Sequence, residues 1–238
     1  MSWNRYLYGG IIFAVAGSVM YFIMQGNIGQ KEVGAAFLAM VGTFLGALFA
    51  FRLNESREDT KLEKEHKAAL NRALFIIARQ YNAVCSLAKD LEPYKLEFER
   101  AFNCPALRPP TYSDLVHDFE TLDFLLEITD PNVLMRLSVE QEGFHQMIES
   151  LRIRNDLYVN EIQPVIAQHG FNRRSVLAHD FRTALGERLY ESAVNSASTL
   201  YAHVAGSRQR LSSMHAELFN AAKNAYPDAK FVKPAPQV

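Results

Sequence analysis

Cysteine is scarce in this 238-residue chain: there are two, Cys85 and Cys104, nineteen positions apart. Neither belongs to a CxxC pair or has histidines at ligand spacing. A disulfide framework and a zinc knuckle are therefore excluded, and both are expected to be buried free thiols in a reducing compartment. Phosphate cradles are equally absent, with no GxxxxGK[ST] and no GxGxxG after a strand-like run. No GxSxG nucleophile elbow occurs either. No segment alternates apolar and polar residues with period two, so strands are not expected. Charge of one sign is lacking too. The net charge is −1, which provides no bulk field to attract nucleic acid or acidic substrates. The chain shows no internal repeat, and its one low-complexity tract is the short tail 233–238.

Charge is missing altogether from two stretches, and these are the strongest positive signal. Residues 6–24 (YLYGGIIFAVAGSVMYFIM) and 33–51 (VGAAFLAMVGTFLGALFAF) are each nineteen residues long without a charged side chain. A helix of that length rises about 28 Å, the thickness of a bilayer's hydrocarbon core. The polar, glycine-rich link 25–32 is long enough to turn and too short to form a domain. A signal peptide fits the first stretch poorly. Its one A-x-A, Ala14 to Ala16, lies inside the apolar run, and Arg5 is the one basic residue before it. A buried soluble hairpin is the other alternative. The pattern predicts a transmembrane hairpin over residues 1–51.

Basic residues set the expected orientation. Arg52, Arg57, Lys61, Lys64 and Lys67 follow the second span, and Arg5 precedes the first. The loop offers Lys31 alone, beside Glu32. The positive-inside rule then places both termini in the cytoplasm of a two-pass inner-membrane protein. Neither span carries a carboxylate, histidine, lysine or arginine, which argues against a proton- or ion-coupled transporter.

Residues 52–69 read as a charged helical stalk. Glu63 with Lys67 and Glu58 with Lys61 stand at favourable helical spacing, although a flexible charged linker is the alternative. Residues 70–230 read as a cytoplasmic bundle of three long helices and one short one, followed by a mobile tail at 231–238. The first long helix carries Leu70, Leu74, Ile77, Tyr81, Val84, Leu87 and Leu91 at steps of three and four. Pro93 ends or kinks it, and 103–111, with three prolines, is a break. A short acidic helix is expected over 113–129, with Asp114, Asp118, Glu120, Asp123 and Glu127 on its wet face. Asp130-Pro131 signals a new helix start. That helix uses Leu134, Leu137, Phe144, Met147, Leu151, Tyr158, Ile162 and Val165, bends at Pro164 and stops at Gly170. The last helix is expected from 172 or 175 to about 227. The fold class is all-α.

Histidine is the natural place to look for a catalyst. The dipeptides His117-Asp118 and His179-Asp180 are too short to define a metal site, and no pair has the spacing of HExxH. No cofactor or metal is expected. Within 172–180 (NRRSVLAHD), Arg174 and His179 resemble the RxxxxH signature of the HEPN ribonucleases. That resemblance implies an arginine and a histidine acting together in RNA cleavage, against a surface arginine and a helix-wall histidine as the plain reading.

The second span carries Gly42, Gly46 and Ala50 at four-residue spacing. The first carries Ala14 and Ser18 on a similar face. Small residues let helices in lipid approach closely, either within one hairpin or between chains. A two-span hairpin, a charged stalk and a helical cytoplasmic body resemble the two-transmembrane effectors of bacterial anti-phage systems, those of retrons in particular. The resemblance implies a homo-oligomer that depolarises the inner membrane, with Gly42, Gly46 and Ala50 in assembly. It also implies an inhibitory partner, a reverse transcriptase with its RNA–DNA hybrid. A non-enzymatic membrane scaffold that docks a cytoplasmic partner is the alternative, and a membrane-tethered HEPN-like ribonuclease is a third.

Overall fold

The computed structural model describes residue 21 and residues 30–109, 115–171 and 177–233. Most of the first apolar stretch lies outside these, including Ala14 and Ser18, as do Arg174 and the end of the tail. Among the described residues the chain is all-helical and contains no strand. It divides into two compact units, Met1–Glu63 and Lys64–Val238.

In the first unit the described chain is essentially one helix. Helix α1 runs over Gln30–Leu91 and continues into the second unit. It includes a stretch near the N-terminus long and apolar enough to cross a membrane, no part of which is buried. Residues 52–69 are helical throughout. Asn54 Nδ2 donates to Glu58 (2.9 Å) and Thr60 Oγ1 to the Ser56 carbonyl (2.7 Å), both one turn apart.

The second unit is a helical body with two apolar clusters. Its main core takes Leu70, Leu74, Ile77, Val84, Leu87 and Leu91 from α1, the face anticipated from the three-four period. Helix α1 ends at Leu91, two residues before Pro93, because the residue preceding a proline is pushed out of helical geometry. A π-helical turn, Glu99–Asn103, follows. After a short helix α2 (Leu125–Ile128), helix α3 spans Asn132–Leu157. A second π turn (Tyr158–Ile162) joins α3 to α4 (Gln163–Gln168). Helices α5 (Ala178–Leu185) and α6 (Glu187–Ala225) complete the body. The Asp130 carboxylate accepts the Asn132 backbone N–H at 3.0 Å and so caps α3, as Asp-Pro suggested. A smaller cluster gathers Phe102, Tyr158, Ile162, Phe171, Phe181, Leu185 and Leu189.

Three expectations are corrected. The acidic helix over 113–129 is not continuous: a 3-10 turn (Glu120–Leu122) and α2 are its helical parts among the described residues. Backbone groups of the intervening chain pair with other elements instead. Gln80 Nε2 donates to the Leu115 carbonyl (3.0 Å), and the His117 N–H donates to Gln141 Oε1. With those groups satisfied by side chains, intrahelical bonds are not needed there. The last helix is two helices, because Gly186 adopts φ +73°, ψ 155°, outside helical space. Cys85 is half-buried rather than buried; Cys104 is buried.

Candidate functional site

Two places in the described chain have the makings of a site, one in each unit. In the first unit, Gly42, Gly46 and Ala50 follow one another at one-turn intervals along α1, and all three are exposed. A Cβ placed on Gly42 or Gly46 meets nothing within 4 Å. Bulky neighbours flank the ridge, with Phe37, Leu38, Leu45 and Phe49 all exposed. Thr43 Oγ1 donates to the Ala39 carbonyl at 2.8 Å, so the hydroxyl in this apolar stretch has its partner within the helix.

In the second unit, an open groove of about 880 Å³ runs between the end of α1 and the middle of α6. Its walls carry Tyr81, Cys85, Tyr94 and Tyr201, and four cations, Lys89, Lys95, Arg100 and Arg208, against one carboxylate, Glu92. Tyr201 is fixed by donating its hydroxyl to the carbonyls of Leu91 (2.9 Å) and Tyr94 (3.1 Å). Burial pushes its phenol up to about 12. The Arg100 guanidinium lies 4.4 Å from the centre of the Tyr201 ring and its Nε donates to the Tyr94 carbonyl at 3.3 Å. Arg208 hydrogen-bonds Tyr81 and Cys85, which raises its already high pKa. Among the described residues, Lys89, Lys95 and Arg100 have no carboxylate at ion-pair distance.

Bonded to the carbonyl of Arg100 is a buried cation, Arg154. Its guanidinium donates to the Pro105 carbonyl (2.7 Å) and to the carbonyls of Cys104 and Arg100, and it lies 4.6 Å from the Tyr158 ring centre. Burial lowers its pKa, and burial raises that of the neighbouring Cys104 thiol, which Arg154 partly offsets. The arrangement ties the π turn Glu99–Asn103 and the chain after it to α3. It is a structural clamp, since every donor direction that it uses ends on backbone.

The histidines do not converge. His117 is buried and its ring nitrogens have no partner among the described residues, whereas Asp118 beside it is exposed. Burial lowers the His117 pKa to about 4. His179 and Asp180 are both exposed at the start of α5. No group of three metal-ligating side chains occurs among the described residues. The Arg174–His179 pair falls partly outside them, so its geometry is not part of the site.

Sequence reasoning missed Arg154, Gln80, Ser207 and His215, all buried. The signal was present: each sits on its helix's apolar period, Arg154 between Leu151 and Tyr158, His215 between Leu211 and Leu218. A polar residue at a core position of the period marks a buried polar contact. The groove itself left no such mark, because its lining comes from residues more than a hundred positions apart.

These features define the class: among the described residues, an all-helical protein with an apolar helix near the N-terminus long enough to cross a membrane. A particular family does not follow, since no protein-family profile, no curated protein and no solved structure matches the chain.

Proposed function

We propose that this chain is a two-span protein of a bacterial inner membrane, with both termini in the cytoplasm, and an effector of anti-phage defence. In this reading it is held quiet by a partner complex. On release it assembles into homo-oligomers that depolarise the membrane. The observation that carries the proposal is the uncovered apolar part of α1, with its open positions at Gly42 and Gly46. Lipid gives no hydrophobic drive between helices, so close backbone approach at small residues is a main source of association. A pathway through the bilayer would need several copies, since one chain has too few spans to enclose one.

The test is membrane potential, followed with a voltage-sensitive dye while the chain is expressed alone in a bacterial host. Rapid depolarisation by the wild type and none by a well-inserted Gly42→Leu, Gly46→Leu protein is the expected result. Depolarisation that survives both substitutions overturns the role of the ridge. Abundant, inserted and silent wild type overturns the effector reading.

A scaffold reading has one observation in its favour. On α3, Met135 and Val139 stand exposed (66% and 50%) beside a groove of about 460 Å³ that also carries Arg136, Glu140 and Arg210. An apolar patch with a charged rim suits a protein partner. That reading predicts harmless expression and capture of the partner by the body alone.

A further inference from the structure

We propose that the groove between α1 and α6 is a nucleotide-binding site, independent of whatever the membrane segment does. Its volume of about 880 Å³ lies within the span usual for small-ligand sites, roughly 300–1,000 Å³. Four cations line it against the single carboxylate of Glu92. The two lysines stand at exposed positions near the end of α1, and among the described residues neither has a carboxylate at ion-pair distance, although the Glu99 carboxylate accepts the backbone N–H of Lys95. Such a concentration of like charge repels itself when empty and gains most from a compact polyanion.

The remaining lining suits the other half of a nucleotide. Three phenol rings, Tyr81, Tyr94 and Tyr201, with Ala88, Leu91 and Val204, offer flat apolar surface for a base. Arg100 is already stacked on Tyr201, leaving its guanidinium edge for phosphate oxygens. The wall is pre-formed, because Tyr201 is held by two backbone carbonyls of the turn that ends α1. A bare metabolite carboxylate has too little charge for this set, and an inorganic anion makes no use of the rings. A nucleoside triphosphate uses both.

Cys85 supplies a reporter, since it lines the groove and is partly accessible. The experiment uses the full chain in detergent or lipid nanodiscs, with ATP as probe and adenosine and inorganic triphosphate as comparators. Saturable ATP binding at sub-millimolar concentration is expected, together with slowed maleimide labelling of Cys85. Adenosine should fail to compete and triphosphate should compete weakly. Lys89→Glu with Lys95→Glu changes exposed side chains only, and should weaken ATP by about tenfold or more while leaving the thermal unfolding midpoint in place. No saturable binding of ATP, GTP, CTP or UTP at millimolar concentration overturns the proposal. Binding that is unchanged in the double variant, that leaves Cys85 labelling unaltered, or that triphosphate matches also overturns it.

Discussion

The Arg182 guanidinium reaches over Gly186 to the Glu187 carboxylate, with Nε 2.6 Å from an oxygen, and on to Glu191 at 2.7 Å. One side chain on α5 thus fastens the start of α6 across a glycine held at φ +73°. The apolar spacing is preserved through the break, with Leu185 and Leu189 both buried in the smaller cluster.

Gly186→Ala should therefore destabilise the body although the space around the new methyl is open. The cost is backbone strain, about 1–3 kcal/mol for a residue forced into that region. Chemical denaturation of the body reads it directly. A stability unchanged within a few tenths would mean that α5 and α6 can join as one helix.

Arg154→Ala removes the donor for three backbone carbonyls at once, of which that of Cys104 is buried. Unpairing them and losing the contact with Tyr158 should cost about 2–4 kcal/mol. Arg154→Lys should recover only part, since a single ammonium cannot follow three directions as the planar fork does. The thermal midpoints of the three proteins should rank Arg, Lys, Ala.

Acid should loosen the body before its carboxylates titrate fully. Burial holds the His117 imidazole at about 4, below the unfolded value of 6.5, so the unfolded chain binds more protons between those limits. Stability is full above about pH 6.5 and falls as pH drops toward 4, by about 3 kcal/mol in total for this group. Burial lowers His215 as well, adding in the same direction. His117→Leu should flatten the urea midpoint plotted against pH over this window.

Native thiol titration should count one fast cysteine and one slow. Cys85 is half-buried and partly accessible; Cys104 is buried and its thiol pKa is raised by that burial. Denaturant should release the second. Cys85→Ser should remove the fast phase and leave the slow one.

How far the sequence was legible depends on which physical rule governed each element. Helical period alone placed the core faces of α1 and α3, because a buried stripe must recur every three or four residues in any packing. It failed over residues 115–119, where Gln80 and Gln141 from other elements supply the hydrogen bonds. It passed over Gly186, whose neighbours continue the apolar spacing on both sides and so hide the break. The glycine was the clue, for it stands where a helix C-terminus needs a residue free of a Cβ. The one-turn spacing of Gly42 and Gly46 needed only that both lie on one continuous helix. The groove was not legible, since which faces of α1 and α6 meet is a property of the packed body.

The two π turns give the body an unusual tolerance. In the second, Gln163 N–H closes back on Tyr158, one residue further than an α-helix allows. Pro164 follows immediately, and in a regular helix its ring would collide with the carbonyl of Asn160. The wider turn moves that carbonyl aside, so the proline sits within the helix without snapping it. Losing one residue from this turn would normally wreck a helix's phase. Here it would regularise the turn, swing α4 by about a quarter turn and carry Ile162 off its cluster. A length polymorphism at this point would thus read out as a rotated helix end, with the main core beneath α3 left as it was.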